Sequence, residues 1–313
     1  MRSIANGSSF MAVTVLRLLR EAGPRSWTIL ACFWVIHAQS PGGRQRHAQA
    51  AMTSEISPSL ARIPAGDFLM GSADADDDER PVHRVFVSEF FMGRFPVTQE
   101  EYARFIRAAG HPAPAIGDLP LVALGCRDAL FREIAAPYLW ENDRPPPGCG
   151  GHPVVLVRYD DALAYCRWLS EAIGRSVRLP TEAEWEKAAR AGTDGLRYPW
   201  GNDIDESRCN FLPDQSVKHQ RGTRPAGTYP PNAYGLYDMC GNVWEWTADW
   251  YGGDYYGLGA MRDPSGPESG SMRIVRGGSW VNDDVEMLRC AYRHKVPPDT
   301  YAYSVGFRIV CGA

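Results

Sequence analysis

The sequence contains no Cys-x-x-Cys pair, although it has 8 cysteines among its 313 residues. They are spread widely along the chain, so we do not expect a zinc ribbon or a thioredoxin-type redox site. Its 7 histidines also form no His-x-x-x-His or His-Glu-x-x-His helix motif. The cysteines are therefore expected either to pair as long-range disulfides or to be buried as small apolar side chains.

An excess of positive charge is also missing. The net charge is -4 and the isoelectric point is near 6.0, so we expect no nucleic-acid partner. The apolar run at residues 27–36 is too short to span a bilayer, and no transmembrane helix is expected in the mature domain. Arginines before this run and small residues after it resemble a secretory signal. We expect export to the periplasm or beyond, or a cytoplasmic protein if the true start is Met11 or Met52.

Tryptophan, glycine and proline are abundant, with 10, 31 and 24 copies. The aromatic side chains need burial, while glycine and proline interrupt regular elements. This mixture predicts one compact, loop-rich domain of α+β class with little regular secondary structure. We expect a signal-like or disordered segment over residues 1–57 and the domain over residues 58–313.

Three segments carry helix signals: a start, a periodic apolar face and a glycine stop. They begin at Thr98, at about residue 159 and at Thr181, and they end at Gly110, Gly174 and Gly192. Thr98 and Thr181 each have a glutamate three residues later, which predicts capping boxes.

The rest of the chain predicts short strands and loops. Strands are predicted within residues 63–72 and 82–91, and the acidic run at 74–79 is interpreted as a solvated loop, with a calcium loop as the minority alternative. Residues 111–152 form a long irregular stretch, which is typical of a functional or disordered loop.

Several motifs follow one another in the second half of the chain. They are residues 178–186 (Arg-Leu-Pro-Thr-Glu-Ala-Glu-Trp-Glu), residues 232–238 (Asn-Ala-Tyr-Gly-Leu-Tyr-Asp), residues 241–246 (Gly-Asn-Val-Trp-Glu-Trp), residues 276–280 (Arg-Gly-Gly-Ser-Trp) and residues 306–308 (Gly-Phe-Arg). Together with the segments before them, they resemble in order the formylglycine-generating enzyme family, also called sulfatase-modifying factors. The resemblance covers residues 58–313 and implies a fold related to C-type lectins.

The resemblance also implies a structural calcium site. Its four positions are Asp238, Gly241, Val243 and Glu245. The two carboxylates and the two backbone carbonyls are hard oxygen ligands of the kind that calcium prefers. The alternative is a tryptophan-rich turn without metal. Asn210 and Phe211 match the start of a second family calcium site, but Lys218 stands where that site needs an aspartate. Asp214 is the alternative ligand if the loop is shifted, and we do not expect this second site to be occupied.

The family's oxidases bind copper(I) through two cysteines, activate oxygen and convert a substrate cysteine to formylglycine. Here Asn282 stands at the first cysteine position, and the second falls in residues 283–288, a stretch that is two residues shorter and contains no cysteine. Copper(I) prefers soft thiolates, so copper is not expected. A harder redox metal such as iron remains open.

Candidate site residues surround this position. By resemblance and chemistry, the candidate catalytic residues are Ser279, Asn282, Asp283 and Glu286, and the candidate substrate-binding residues are Trp244, Trp280, Arg289 and Arg293. A disulfide between Cys166 and Cys311 is implied if the chain is exported: Cys166 matches a structural family cysteine, and Cys311 lies two residues beyond the position of its partner. Cys126 and Cys149 are a weaker candidate pair across the long stretch.

Three functions are consistent with these features. The first, slightly favoured because the pocket walls are kept, is an oxidoreductase or maturation factor without the copper-thiolate pair. It would act on a peptide or peptide-derived substrate, with Glu286 or Asp283 as acid or base. The second is a non-catalytic, calcium-stabilised module that binds a peptide or glycan. The third is formylglycine generation by an altered site.

Overall fold

The computed structural model describes residues 56–116, 128–213, 222–259 and 261–312. Residues 56–313 form one compact unit. The signal-like segment, Cys126, Asp214 and Lys218 lie outside the described residues, so the predictions that concern them stay predictions. Within the described ranges, none of the helices has the length and apolar character needed to cross a membrane.

The described residues form four α-helices. They are α1 (Gln99–Ala109), α2 (Asp128–Ala135), α3 (Tyr159–Ile173) and α4 (Glu182–Arg190). The predicted capping boxes are present: the Thr98 hydroxyl accepts from the Glu101 amide, and the Thr181 hydroxyl accepts from the Glu184 amide. Gly110 and Gly174 end their helices in the left-handed conformation, as predicted. Helix α4 ends one residue early, because Ala191 already adopts this conformation.

Eleven short strands form three sheets within the described ranges. The strands are β1 (Leu60–Ile63), β2 (Gly66–Met70), β3 (His83–Val87), β4 (Phe90–Gly93), β5 (Val177–Arg178), β6 (Trp244–Trp250), β7 (Met261–Arg262), β8 (Arg273–Arg276), β9 (His294–Val296), β10 (Val305–Gly306) and β11 (Val310–Gly312). The sheets have the orders β1-β4-β11-β5, β10-β6-β8-β9 and β2-β3-β7. The strand predicted over residues 82–91 is two strands, because β3 and β4 belong to different sheets. Short strands in small sheets confirm the predicted α+β, loop-rich class.

The sheet around β6 brings the sequence motifs together. Strand β6 pairs in parallel with β10, so that Trp244 lies opposite Val305, and antiparallel with β8, so that Glu245 lies opposite Arg276. Strand β9 pairs with the other edge of β8. Motifs that are far apart in sequence therefore meet in one sheet.

The long stretch at residues 111–152 is only partly irregular. Its described residues include α2 and a 3₁₀ turn at Ala136–Tyr138. Phe131 and Tyr138 are buried against Trp280 and Tyr303. The prediction missed this helix because its apolar residues contact partners more than 140 positions away in the sequence.

The interpretation of the acidic run as a solvated loop is wrong at its end. Asp77–Glu79 forms a 3₁₀ turn, and the Glu79 side chain is 0% exposed. The Arg289 guanidinium donates to both Glu79 carboxylate oxygens, at 2.6 and 2.7 Å. This two-point pairing offsets part of the cost of burying the charge, although burial still raises the pKa of the Glu79 carboxyl.

Candidate functional site

Three rings form a partly exposed surface on the sheet that contains β6 and β9. Trp244 begins β6, and His294 begins β9 in the same sheet. Their ring centroids are 4.9 Å apart in a stacked arrangement, and Tyr292 lies 5.9 Å from Trp244. Trp244 is buried beneath Tyr292 and His294, which are half-buried. We call these three residues the aromatic wall.

The aromatic wall is uncharged at neutral pH. Burial lowers the pKa of His294 from 6.5, and the adjacent charge of Lys295 lowers it further. A neutral imidazole offers one hydrogen-bond donor and one acceptor. The wall therefore combines flat apolar faces with one polar group that can accept or donate.

Asn282 uses both ends of its amide within the fold. Its side-chain oxygen accepts from the Ser279 amide and from the Ser279 hydroxyl, both at 2.8 Å. Its side-chain nitrogen donates to the Met287 sulfur at 3.1 Å. The Asn282 backbone amide donates to the Ser279 carbonyl at 3.1 Å, and the Leu212 amide donates to the Asn282 carbonyl at 2.9 Å. Where the family's oxidases carry a thiol, this chain has a residue that holds a turn.

Two predicted site residues are too deeply buried to contact a substrate in this structure. Ser279 is 0% exposed, and its hydroxyl donates to Asn282. Trp280 is also buried; it packs against Tyr138 and Tyr303, and its indole nitrogen donates to the Tyr303 carbonyl at 3.3 Å. The arrangement corrects the roles expected for both residues, because they belong to the core behind the turn.

The two predicted substrate-binding arginines are also buried. Arg293 donates to both carboxylate oxygens of Glu182, at 2.8 and 3.1 Å, and Arg289 is held by Glu79. They join a larger set of buried ion pairs, the buried charge network, whose members are Glu79, Glu182, Glu186, Arg190, Arg276, Arg289 and Arg293. The expected substrate contact of Arg293 is therefore corrected to structural pairing, whereas Arg289 also lines a cavity and its substrate contact stays a prediction. Sequence alone missed this because each partner is remote in the chain.

Asp249 lies next to this network and is its acidic neighbour. Its carboxylate accepts from the Glu182 backbone amide at 2.8 Å. Burial raises its pKa well above 3.8, and the charge of Glu182 raises it further. In contrast, Glu186 is also fully buried, but the charges of Arg190 and Arg276 outweigh the effect of burial and lower its pKa. The two neighbouring guanidinium groups thus lower the pKa of Glu186, whereas burial and the charge of Glu182 raise the pKa of Asp249.

The two acidic candidates differ in their surroundings. Asp283 is exposed, and Glu286 forms ion pairs with Arg197 and with the Arg289 Nε at 2.9 Å. Glu286 lines a cavity of about 430 Å³ together with Asp74, Arg197 and Arg289. No residue of the aromatic wall lines this cavity, although the Arg289 guanidinium lies 5.8 Å from the centroid of the Tyr292 ring.

The predicted calcium ligands lie together, but Glu245 is already paired. Arg308 donates to both Glu245 carboxylate oxygens, at 2.6 and 2.7 Å, and the Trp185 indole nitrogen donates to one of them at 2.7 Å. Asp238 accepts from the Gly227 amide at 2.8 Å, and burial raises its pKa to about 6. The Arg308 guanidinium thus holds both oxygens of Glu245 in this arrangement, and calcium at these positions stays a prediction.

The other metal predictions receive little support. The Asn210 side-chain amide donates to the Gly222 carbonyl at 2.9 Å and to the Asn242 side-chain oxygen at 3.3 Å, and Phe211 is buried beside it. The remaining positions of that second calcium site lie outside the described residues. Among residues 56–116, 128–213, 222–259 and 261–312, no three His, Cys, Asp or Glu side chains come together as a metal site. Calcium and a redox metal both stay predictions.

Cys166 and Cys311 are close together in one core cluster, but both are free thiols in the structure. Burial raises the pKa of Cys166 to about 12, and the nearby Cys311 raises it further. The spatial closeness agrees with the expected pairing, while the bond itself stays a prediction.

Comparisons with known proteins place this geometry in a family. The chain is 39% identical over 254 residues to the serine/threonine-protein kinase pkn1 of Chlamydia caviae, covering 80% of this chain but only 37% of that protein. It is 35% identical over 294 residues to the formylglycine-generating enzyme of Thermomonospora curvata, covering 81% of this chain and 93% of that enzyme. The solved structure of PvdO from Pseudomonas aeruginosa superposes with a TM-score of 0.68 at 28% identity, covering 83% of this chain and 97% of that one.

A family model, described as the sulfatase-modifying factor enzyme 1-like domain, matches residues 46–313. That span includes every motif of the sheet around β6 and every element of the fold. The chain therefore belongs to the sulfatase-modifying factor family, whose formylglycine-generating members it matches along most of their length.

Proposed function

We propose that this chain is a peptide-binding member of the family, which receives a peptide segment on the aromatic wall without carrying out copper-thiolate oxidation. The observation that carries this proposal is the engagement of Asn282. The Asn282 side-chain amide lies where the family's oxidases have a thiol. It is hydrogen-bonded to Ser279 and Met287, so it presents no free ligand to copper(I).

Two of the candidate catalytic groups are engaged by other residues of the fold. Ser279 is buried with its hydroxyl already donated, and Glu286 lines a different cavity, paired with Arg197 and Arg289. A general acid or base must reach the proton that it transfers, within hydrogen-bond distance or through one water. A surface that binds without transferring protons fits this placement better than a catalytic one.

The wall itself suits a peptide. His294 stacks on Trp244 and on Tyr292, Tyr292 is tilted against Trp244, and burial lowers the pKa of His294. Aromatic faces bind proline, arginine and apolar side chains, and an imidazole can hydrogen-bond a peptide group. Since Trp244 matches a pocket-lining position in relatives that modify a peptide cysteine, a peptide is favoured over a glycan.

The experiment measures binding and oxidation on the same samples. A fluorescent Cys-x-Pro-x-Arg peptide, its Ser-x-Pro-x-Arg analogue and a scrambled peptide are titrated with the full chain, and anisotropy is recorded. Oxygen uptake and aldehyde formation are followed with and without added copper(I) or iron(II). We expect saturable binding of the first two peptides, and no oxygen uptake or aldehyde above the protein-free control.

Variants separate the wall from the rest of the surface. Tyr292→Leu and His294→Ala each remove a ring that would stack on the ligand. Each should weaken binding about three- to tenfold, which is the effect of losing one aromatic pair. Trp200→Leu is the matched control, because Trp200 stacks on Tyr198 outside the wall. Absence of binding by all peptides, or glycan binding alone, would overturn the proposal; metal-dependent oxygen uptake would instead establish the oxidoreductase.

A further inference from the structure

Two buried cysteines face each other beside the Asn282 turn. Asn210 and Gly241 form an isolated parallel bridge, and the Asn242 amide donates to the Asn210 carbonyl at 2.8 Å. Gly241 has φ +75°, and a Cβ at this position would collide with the Asn210 backbone, so glycine permits the close approach. Cys209 and Cys240 directly precede the bridged residues and therefore lie side by side.

The surroundings of this pair are apolar. Cys209 and Cys240 are 3% and 2% exposed, and they pack in one core cluster with Tyr198, Phe211 and Leu288. Both are free thiols in the structure, and the Cys209 thiol donates to the Asp205 carbonyl at 4.0 Å. Burial raises the pKa of the Cys240 thiol well above 9.0, and Cys209 raises it further. A buried, protonated thiol is neither a nucleophile nor a good metal ligand.

We propose that Cys209 and Cys240 form a structural disulfide when the chain folds in an oxidising compartment. Each thiol loses its proton and one electron, and an Sγ–Sγ bond forms. The two electrons reduce a disulfide of an external oxidant, such as oxidised glutathione or a disulfide-donating oxidoreductase, to two thiols. Because both sulfurs are buried in the folded domain, the exchange takes place during folding.

The bond would fasten a segment that supports the candidate site. Residues 210–213 follow Cys209, and within them the Leu212 amide donates to the Asn282 carbonyl at 2.9 Å. Asn210 also donates to the Asn242 side chain at 3.3 Å. A covalent link at Cys209 would therefore hold both the Asn282 turn and the Gly241 turn to one anchor. This inference does not depend on the proposed peptide binding.

Cys290 is the competing partner. The Cys290 thiol also raises the pKa of the Cys240 thiol, so it lies in the same neighbourhood. However, Cys290 belongs to a different core cluster, with Trp185 and Met239, whereas Cys209 shares a cluster with Cys240 and lies next to it at the Asn210–Gly241 bridge. The geometry selects Cys209.

The experiment uses the full chain, unfolded and reduced, then refolded either in a glutathione redox buffer or in dithiothreitol. Free thiols are alkylated in denaturant, and the unreduced digest is mapped by mass spectrometry. We expect a Cys209–Cys240 linked peptide only after oxidative refolding. We also expect the oxidised protein to melt roughly 5–10 °C higher, the scale for one long-loop disulfide in a domain of this size.

Two variants complete the test. Cys290→Ala should keep the linked peptide and most of the thermal shift, because Cys290 is buried nearby but unpaired in the proposal. Cys209→Ala with Cys240→Ala should lose the linked peptide and the part of the shift due to this bond, leaving any contribution from Cys166 and Cys311. Alkylation of both Cys209 and Cys240 in the oxidatively refolded wild type, or a Cys240–Cys290 peptide, would overturn the proposal without relying on a variant that folds.

Discussion

The aromatic wall and the buried charge network use their residues in opposite ways. The wall presents neutral rings, with Tyr292 and His294 partly exposed. The network hides charged side chains, and Arg276 and Glu186 are completely buried. The buried guanidinium–carboxylate pairs therefore stabilise the fold, while Tyr292 and His294 meet the solvent.

This contrast shows why residue type alone did not reveal that two arginines are buried. Arg289 and Arg293 resemble binding residues in the sequence, since long cationic side chains are mostly exposed. In the fold each guanidinium donates to both oxygens of a buried glutamate. Breaking such a pair leaves an uncompensated charge in the core, whereas the loss of a surface ion pair costs little.

The largest expected effect comes from the network. Arg276→Met removes the guanidinium that joins Glu182 and Glu186, and should lower the free energy of unfolding by about 3–5 kcal/mol. Arg197→Met is the matched control, because its ion pair with Glu286 is 43% and 46% exposed; it should cost less than ~1 kcal/mol. Urea denaturation of both variants measures the difference, and equal losses would contradict the contrast.

A smaller effect is expected at the Asn282 turn. Asn282→Ala removes three side-chain hydrogen bonds and leaves the buried Ser279 amide and hydroxyl without their acceptor. The free energy of unfolding should fall by about 1–3 kcal/mol. Asn202→Ala, which removes one exposed side-chain acceptor of the Arg197 amide, should change it by no more than about 0.5 kcal/mol. If Asn282→Ala were as harmless as its control, the turn would not depend on this amide.

The third prediction concerns the pH dependence of stability. The pKa of Asp249 is raised in the folded state by burial and by Glu182. Its contribution is therefore fully present below the unfolded pKa of 3.8 and is lost as the pH rises through the raised folded pKa. Asp249→Asn keeps an acceptor for the Glu182 amide but cannot ionise. Thermal melts over this pH range should show a shallower decline for the variant, and parallel curves would refute the assignment.

Calcium should have the smallest effect. Because Arg308 already holds both oxygens of Glu245, exchanging calcium for a chelator should move the melting temperature by less than about 1 °C. Asp238→Asn and Glu245→Gln are measured alongside the wild type. A calcium-dependent rise of several degrees that both variants abolish would restore the family's calcium site and show that Arg308 gives way to the metal.

Local signals in the sequence predicted the helices well. Thr98 and Thr181 with their glutamates, and the glycines at 110 and 174, act within one helical turn, so no distant contact is needed to interpret them. The ordered motifs predicted the family for the same reason, since each motif is contiguous. The second helix of the fold, α2, was missed because its burial depends on residues near the end of the chain.

The candidate site was predicted only in part. The exchange of thiol for Asn282 is visible in the sequence, and so is Trp244. Tyr292 was not named as a site residue, although its aromatic character and its position two residues before His294 were a usable signal. The facing thiols of Cys209 and Cys240 had no local signal at all, because a parallel bridge between remote segments brings them together.

By itself the sequence determined the family, the helix ends and the absence of the copper-binding thiols. All three depend on residue identity and short-range geometry. Only the tertiary structure decided which charges are buried, which rings face outward and which cysteines meet. A buried ion pair, a stacked ring or a thiol contact exists only after remote segments pack together and exclude water, and that arrangement is a property of the fold and not of any single segment.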